Sequence, residues 1–132
     1  MFKYVKFKKV ETKYTVLEFR GQSEEVKVNH FDVNVVSLEG SESNIDALVA
    51  AQETSINCEE ITHDEFKELV RESAQLKRIR EVVANKVAEK YTIADEIAIG
   101  KCDVNDAKRV AYESYVAQCL ALGYGLKAEI GY

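Results

Sequence analysis

Over the first sixty residues, apolar positions alternate with polar ones; beyond residue 61 they recur every three to four residues. Phe2, Tyr4 and Phe7 interleave with Lys3, Lys6 and Lys8. That spacing predicts a first strand with one aromatic and one lysine face, lysine being a common guard of edge strands. Residues 13–20 (KYTVLEFR) are rich in β-branched and aromatic residues and predict a second strand. Gly21-Gln22-Ser23 reads as a turn. Residues 25–38 are strand-like again, but Val26 and Val28 share one parity while Phe31, Val33 and Val35 take the other. A bulge or tight turn near Asn29-His30 accounts for the shift. Gly40-Ser41-Glu42-Ser43 is a loop in which Ser41 or Ser43 caps a short helix over 44–53, with Ile45, Leu48 and Val49 on one face. Residues 55–61 give one more strand, with Ile56 and Cys58 facing one way. Strand, helix and strand across 31–61 form a βαβ candidate, right-handed if its strands are parallel neighbours. The first half therefore predicts an α+β plait, a mostly antiparallel sheet of four or five strands with one or two helices on one face.

The sharpest local signal is Ile61-Thr62-His63-Asp64-Glu65-Phe66. Thr62 is placed to cap a helix, Glu65 to answer it, and Ile61 and Phe66 to close a hydrophobic staple. The apolar stripe that follows predicts one helix to about Lys90, about 42 Å long. Such a helix outruns a small domain, so one end is expected to protrude. The heptad register is poor, with Ser73 and Arg80 at core positions, which argues against a long two-stranded coiled coil. Thr92-Ile93-Ala94-Asp95 opens a second, short helix that Gly100 ends. Asp103 is expected to cap a third, over 104–122, with Tyr112, Tyr115, Val116, Cys119 and Leu122 as its stripe and Gly123 and Gly125 after it. Residues 126–130 alternate and read as a strand or an arm. The pattern divides the chain into a strand-rich α+β part, 1–61, and a helical extension of one long and two shorter helices, 62–132.

Composition narrows the function. With 132 residues, 46% hydrophobic and 31% charged, the chain can bury a core without staples. A net charge of −5 argues against nucleic acid as a partner. The charge comes in blocks: Lys3, Lys6, Lys8 and Lys9 at the start, then seven acids and no Lys or Arg over 40–65, then seven bases against four acids over 66–90. These blocks are solvated surface, or they draw copies together head to tail. Cys58, Cys102 and Cys119 are odd in number and lack a C-x-x-C spacing; no secretory signal follows Met1, and no apolar run reaches membrane-span length. The expectation is cytoplasmic synthesis, no membrane, and three free thiols acting as small hydrophobes. Proline is absent, which disfavours a Pro-rich linker.

Candidate chemistry is sparse. His30 and His63 have no partner at zinc-ligand spacing. Glu59, Glu60, Asp64 and Glu65 are a dense carboxylate group without the glycine and alternation of a calcium loop, and an acidic first turn explains the last two. Gly123-Tyr124-Gly125 follows a helix instead of opening one, so it offers no phosphate cradle. Lys77-Arg78-x-Arg80 is diluted by Glu72 and Glu81. No catalytic, cofactor or metal residue is assigned. What stands out is tyrosine: Tyr91, Tyr112, Tyr115, Tyr124 and Tyr132 crowd the last third of the sequence, and such rings finish a core or anchor a protein interface.

The segment from Lys90-Tyr91-Thr92-Ile93-Ala94-Asp95-Glu96-Ile97-Ala98-Ile99 to Tyr112-Glu113-Ser114-Tyr115-Val116-Ala117-Gln118-Cys119 resembles the C-terminal part of small accessory and assembly proteins from the tail region of tailed bacteriophages and prophages. The resemblance implies a non-enzymatic virion part or assembly factor and transfers no functional residues. The expectation is a structural or assembly protein acting through contacts with other chains, as a homo-oligomer or in a larger assembly, with the virion as its final location. Tyr91, Tyr112, Tyr115 and Tyr124 are its candidate partner contacts. The alternative is a small-molecule-binding or regulatory α+β domain with its pocket between sheet and helices.

Overall fold

A computed structural model of the chain describes residues 1–21 and 23–132. The expected turn at Gly21-Gln22-Ser23 includes Gln22, which lies outside the described residues. The fold is α+β. In chain order come β1 (Phe2–Lys6), β2 (Val10–Glu11), β3 (Val16–Leu17), β4 (Lys27–His30) and β5 (Val35–Glu39). Then follow α1 (Glu42–Ala50), a 3-10 turn (Thr54–Ile56), β6 (Glu59–Ile61), α2 (His63–Val70), α3 (Ala74–Ala88), α4 (Ile93–Gly100) and α5 (Ala107–Glu129). The chain divides into two compact units, Met1–Leu76 with Glu129–Tyr132, and Lys77–Ala128. The sheet unit thus reaches beyond residue 61, because Phe66 and Val70 of α2 are fully buried in its core.

Within the first unit the sheet order is β4-β5-β1-β6, every pair antiparallel. β1 is therefore an interior strand, not the edge its lysines suggested. β5 and β6 are parallel to each other with β1 between them, so the βαβ candidate is split, not built on neighbours. The parity break of 25–38 is a hairpin turn over 31–34, just beyond the expected Asn29-His30. Phe31 N–H donates to Val35 O at 3.1 Å, and Asn34 takes a φ of +58°, which asparagine tolerates. The strand expected over 13–20 shrinks to β3, paired with β2 in a separate small ribbon.

The sheet is covered on both faces, where helices on one face were expected. Register places Tyr4 opposite Ser37, and Lys6 opposite Val35. On that face Tyr4, Phe31, Val35 and Ile61 pack with Phe66 and Val70 of α2. On the other, Val5, Val36 and Leu38 pack with Phe19, Val26, Ile56 and Ile45 of α1. The lysines split likewise. Lys3 shares the α1 face and pairs with Glu42, Asp46 and Glu60, while Lys6 shares the α2 face and pairs with Glu59 and Glu65. The acid partners raise both lysine pKa values, Asp46 foremost for Lys3 and Glu65 for Lys6. The basic start and the acidic middle thus meet inside one chain.

Thr62 and Thr92 cap where the sequence put them, and of Ser41 and Ser43 it is Ser41 that caps α1. Ser41, Thr62 and Thr92 accept from the N–H groups of Asn44, Glu65 and Asp95. Thr92 and Asp95 complete a reciprocal capping box, and the Thr92 N–H is the main reason the Asp95 carboxyl is held below its usual range. The single helix expected over 62–90 is broken at 71–73 into α2 and α3. Ser73 is buried, and its Oγ accepts from Leu76 N–H at 3.4 Å. Asp32, in the hairpin turn, accepts from Ala74 N–H through both carboxylate oxygens at 3.2 and 3.3 Å, and its own N–H donates to the Gln75 side chain. A cap supplied from more than forty positions away starts α3.

The end of the chain returns to the sheet. Ser37 Oγ donates to Ile130 O at 2.7 Å and Tyr4 OH to Gly131 O at 2.9 Å. Gly131 takes a φ of +83°, and a Cβ there would meet the Phe2 ring at 2.9 Å, so both backbone and space require glycine. Lys67 lies over the Tyr132 ring, 5.2 Å from its centroid. Residues 126–129, expected as a strand or an arm, belong to α5.

Candidate functional site

The second unit is built from α3, α4 and α5. α5 starts later and ends later than its expected span of 104–122. Asp106, not Asp103, accepts from Lys108 N–H at 2.8 Å and starts it, while Asp103 accepts from Asn105 N–H in the preceding turn. Gly123 and Gly125 lie inside the helix instead of ending it. Gly123 is buried, and a Cβ built there would stand 2.7 Å from Val83 Cγ2, so glycine lets α3 and α5 approach closely. Of the expected stripe, Cys119 is buried and Tyr112, Tyr115 and Val116 are half-buried, lying between the core and the surface; the next buried position belongs to Gly123, and Leu122 is exposed.

Tyr91, Tyr112 and Tyr115 form one cluster. Tyr91 meets Tyr112 edge to face at 4.9 Å and Tyr115 at 5.7 Å, and Lys90 lies over the Tyr115 ring at 4.9 Å. The Tyr115 hydroxyl donates to Lys86 O at 2.6 Å. Burial raises the Tyr112 pKa, helped by Glu96 beside its hydroxyl; burial likewise raises that of Tyr115. These three rings are half-buried within their own unit. Tyr124 stands apart from them, 64% exposed.

The seam between α3 and α5 carries two grooves that meet at Ala84. The first, about 240 Å³, is lined from α3 by Ile79, Arg80, Val83 and Ala84. Leu120, Gly123, Tyr124 and Lys127 line it from α5. The second, about 500 Å³, continues past Ala84, Val87 and Ala88 on α3 and past Tyr112 and Val116 on α5. It ends at Tyr91, Ile93 and Glu96.

The chain matches no family model, no curated protein and no solved structure.

The second unit leaves many apolar side chains exposed. Among the described residues of this unit, Ile79 and Cys119 are the buried hydrophobic side chains. Ile93 is 79% exposed and Ile97 58%, and Val82, Val104, Val110, Leu120 and Leu122 are exposed as well. From Ser114 to Leu126, α5 carries no charged residue on any face. A helix apolar on all sides belongs in a buried setting. No helix among the described residues is long and apolar enough to cross a membrane.

The remaining candidates have local roles. His63 stacks on Tyr4 at 5.0 Å with a ring nitrogen 3.3 Å from Tyr132 O, and His30 is exposed at the end of β4. Glu59, Glu60 and Glu65 pair with lysines, and Asp64 sits in the first turn of α2. No group of three or more His, Cys, Asp or Glu among the described residues is placed to hold a metal ion. Lys77 and Arg78 are exposed on α3. All three cysteines are free: Cys119 is buried, Cys58 is half-buried with its pKa raised by burial, and Cys102 donates to Ala98 O. Sequence reasoning missed Ile93, Ile97, Ala84 and Ala88. Each fits a helical stripe equally well facing in or out, and only the packing decides which.

Proposed function

We propose that this chain is a structural or assembly protein, non-enzymatic, whose helical unit works by docking on other protein chains. The carrying observation is the uncharged stretch Ser114–Leu126 on a helix with an exposed face. Large contiguous apolar surface on a folded protein marks an interaction site. The flanking tyrosines suit that role, since aromatic anchors dominate interface energies while charged rims add little. The resemblance of 90–99 and 112–119 to tail accessory proteins suggests the setting: a tailed-phage virion or its assembly pathway.

Light scattering together with binding of a hydrophobic dye tests this. The folded chain should scatter above its 14.9 kDa mass or take up the dye. Leu120→Ser with Tyr124→Ser should remove whichever signal appears, and Lys77→Ala with Arg78→Ala should leave it. A folded chain that stays at monomer mass and is silent to the dye has no open surface to offer, and the reading falls.

A further inference from the structure

We infer that the occupant of the α3–α5 seam is a second copy of this chain, lying antiparallel across a twofold axis near Ala84. This rests on the protein-docking reading above and names the partner.

The first support is shape. Tyr112, Val116, Leu120 and Tyr124 are spaced four apart and all line the seam, so they form one continuous ridge on α5. The ridge spans about 18 Å at 1.5 Å per residue. Beside it on α3, Ala84 and Ala88 are small and exposed, and leave the two grooves. Ridge and trough therefore lie side by side on one face, which a twofold axis requires of a self-complementary surface. The ridge of each copy enters the trough of the other.

The second support is charge. The groove at the Tyr124 end is rimmed by Arg80 and Lys127, and the groove at the Tyr112 end by Glu96. Antiparallel pairing about Ala84, where the grooves meet, sets Glu96 of each copy against the Arg80 and Lys127 end of the other. Parallel pairing would set like against like, which complementary interfaces avoid. A foreign helix would need an acidic flank at one end only; a second copy supplies it by symmetry.

Sedimentation equilibrium on the full chain tests this, with circular dichroism to confirm folding. The wild type should reach twice the 14.9 kDa chain mass. Ala84→Glu, a good helix former at an exposed position, should stay folded and become monomeric. Glu96→Lys should raise the dissociation constant roughly tenfold, and combining it with Arg80→Glu should restore most of the affinity. A dimer that Ala84→Glu leaves unchanged overturns the seam pairing, while docking on protein chains still stands. A monomer that binds a hydrophobic dye overturns self-pairing and leaves the surface to a foreign chain. A monomer silent to the dye overturns both.

Discussion

Gly123 and Gly125 are two residues apart in α5, and the structure gives substitution there different effects. A Cβ at Gly125 meets nothing within 4 Å, whereas a Cβ at Gly123 stands 2.7 Å from Val83 Cγ2. Replacing an interior helical glycine by alanine is worth about 1 kcal/mol in conformational preference alone. Gly125→Ala should therefore stabilise the protein by about that much. Gly123→Ala gains the same preference but forces a β-branched, stiff side chain to move, at about 1–3 kcal/mol for overpacking. Its net effect runs from neutral to about 2 kcal/mol destabilising. Urea denaturation followed by far-UV circular dichroism, at one protein concentration, resolves this, since 1 kcal/mol shifts the midpoint by about 0.3–1 M. Adding Val83→Ala should remove the clash, so the double variant should be more stable than the two single effects sum to. Equal midpoints for Gly123→Ala and Gly125→Ala would refute the close approach of α3 and α5. A destabilised Gly125→Ala would place the end of the helix before residue 125.

Thr62→Ala should cost about 1 kcal/mol by loss of the α2 cap, read from the urea midpoint. Asp32→Ala should cost a similar amount although it lies in a hairpin, with faster hydrogen exchange at the Ala74 amide as the specific sign. Tyr4→Phe strips one buried hydrogen bond from the returning chain end, at about 1–3 kcal/mol, and Ser37→Ala strips another, with the loss of the acceptor of Asn29 Nδ2 added to it. If both bonds hold the same segment, the second loss should cost less once the first has freed it, and a double-mutant cycle reads that coupling. Asp95 is held below its ordinary 3.8, so its cap is fully present at neutral pH and is lost as pH falls through the depressed value. The stability gap between wild type and Asp95→Ala should accordingly be open at pH 7 and close in acid.

The elements that sequence could reveal are those whose cause is local. Ser41, Thr62 and Thr92 cap helices with residues three positions away, and each cap is where the pattern put it. The tyrosine cluster follows from helical spacing. What stayed hidden depends on distant groups. The break at 71–73 needs Asp32, whose carboxylate meets Ala74 only in the fold. The interior place of β1 was masked by Lys3 and Lys6, because their acids arrive from α1, β6 and α2. Gly123 reads as a helix end until Val83 is seen against it. The seam itself was unreadable, since the same i, i+4 spacing serves a core ridge and an open one.

The division of the chain has an energetic consequence. The first unit is left at Leu76 and resumed at Glu129, so the whole helical unit is an insertion in the first. Ile130 and Gly131 can reach Ser37 and Tyr4 only after that insertion has been spanned. Spanned by a flexible chain of about fifty residues, the closure costs roughly 3.5 kcal/mol of loop entropy. A folded insertion has given up that entropy already. Folding of the helices therefore strengthens the grip of the last residues on the sheet, and loss of the grip loosens the helices in return. The covalent path by itself is enough to couple the two units.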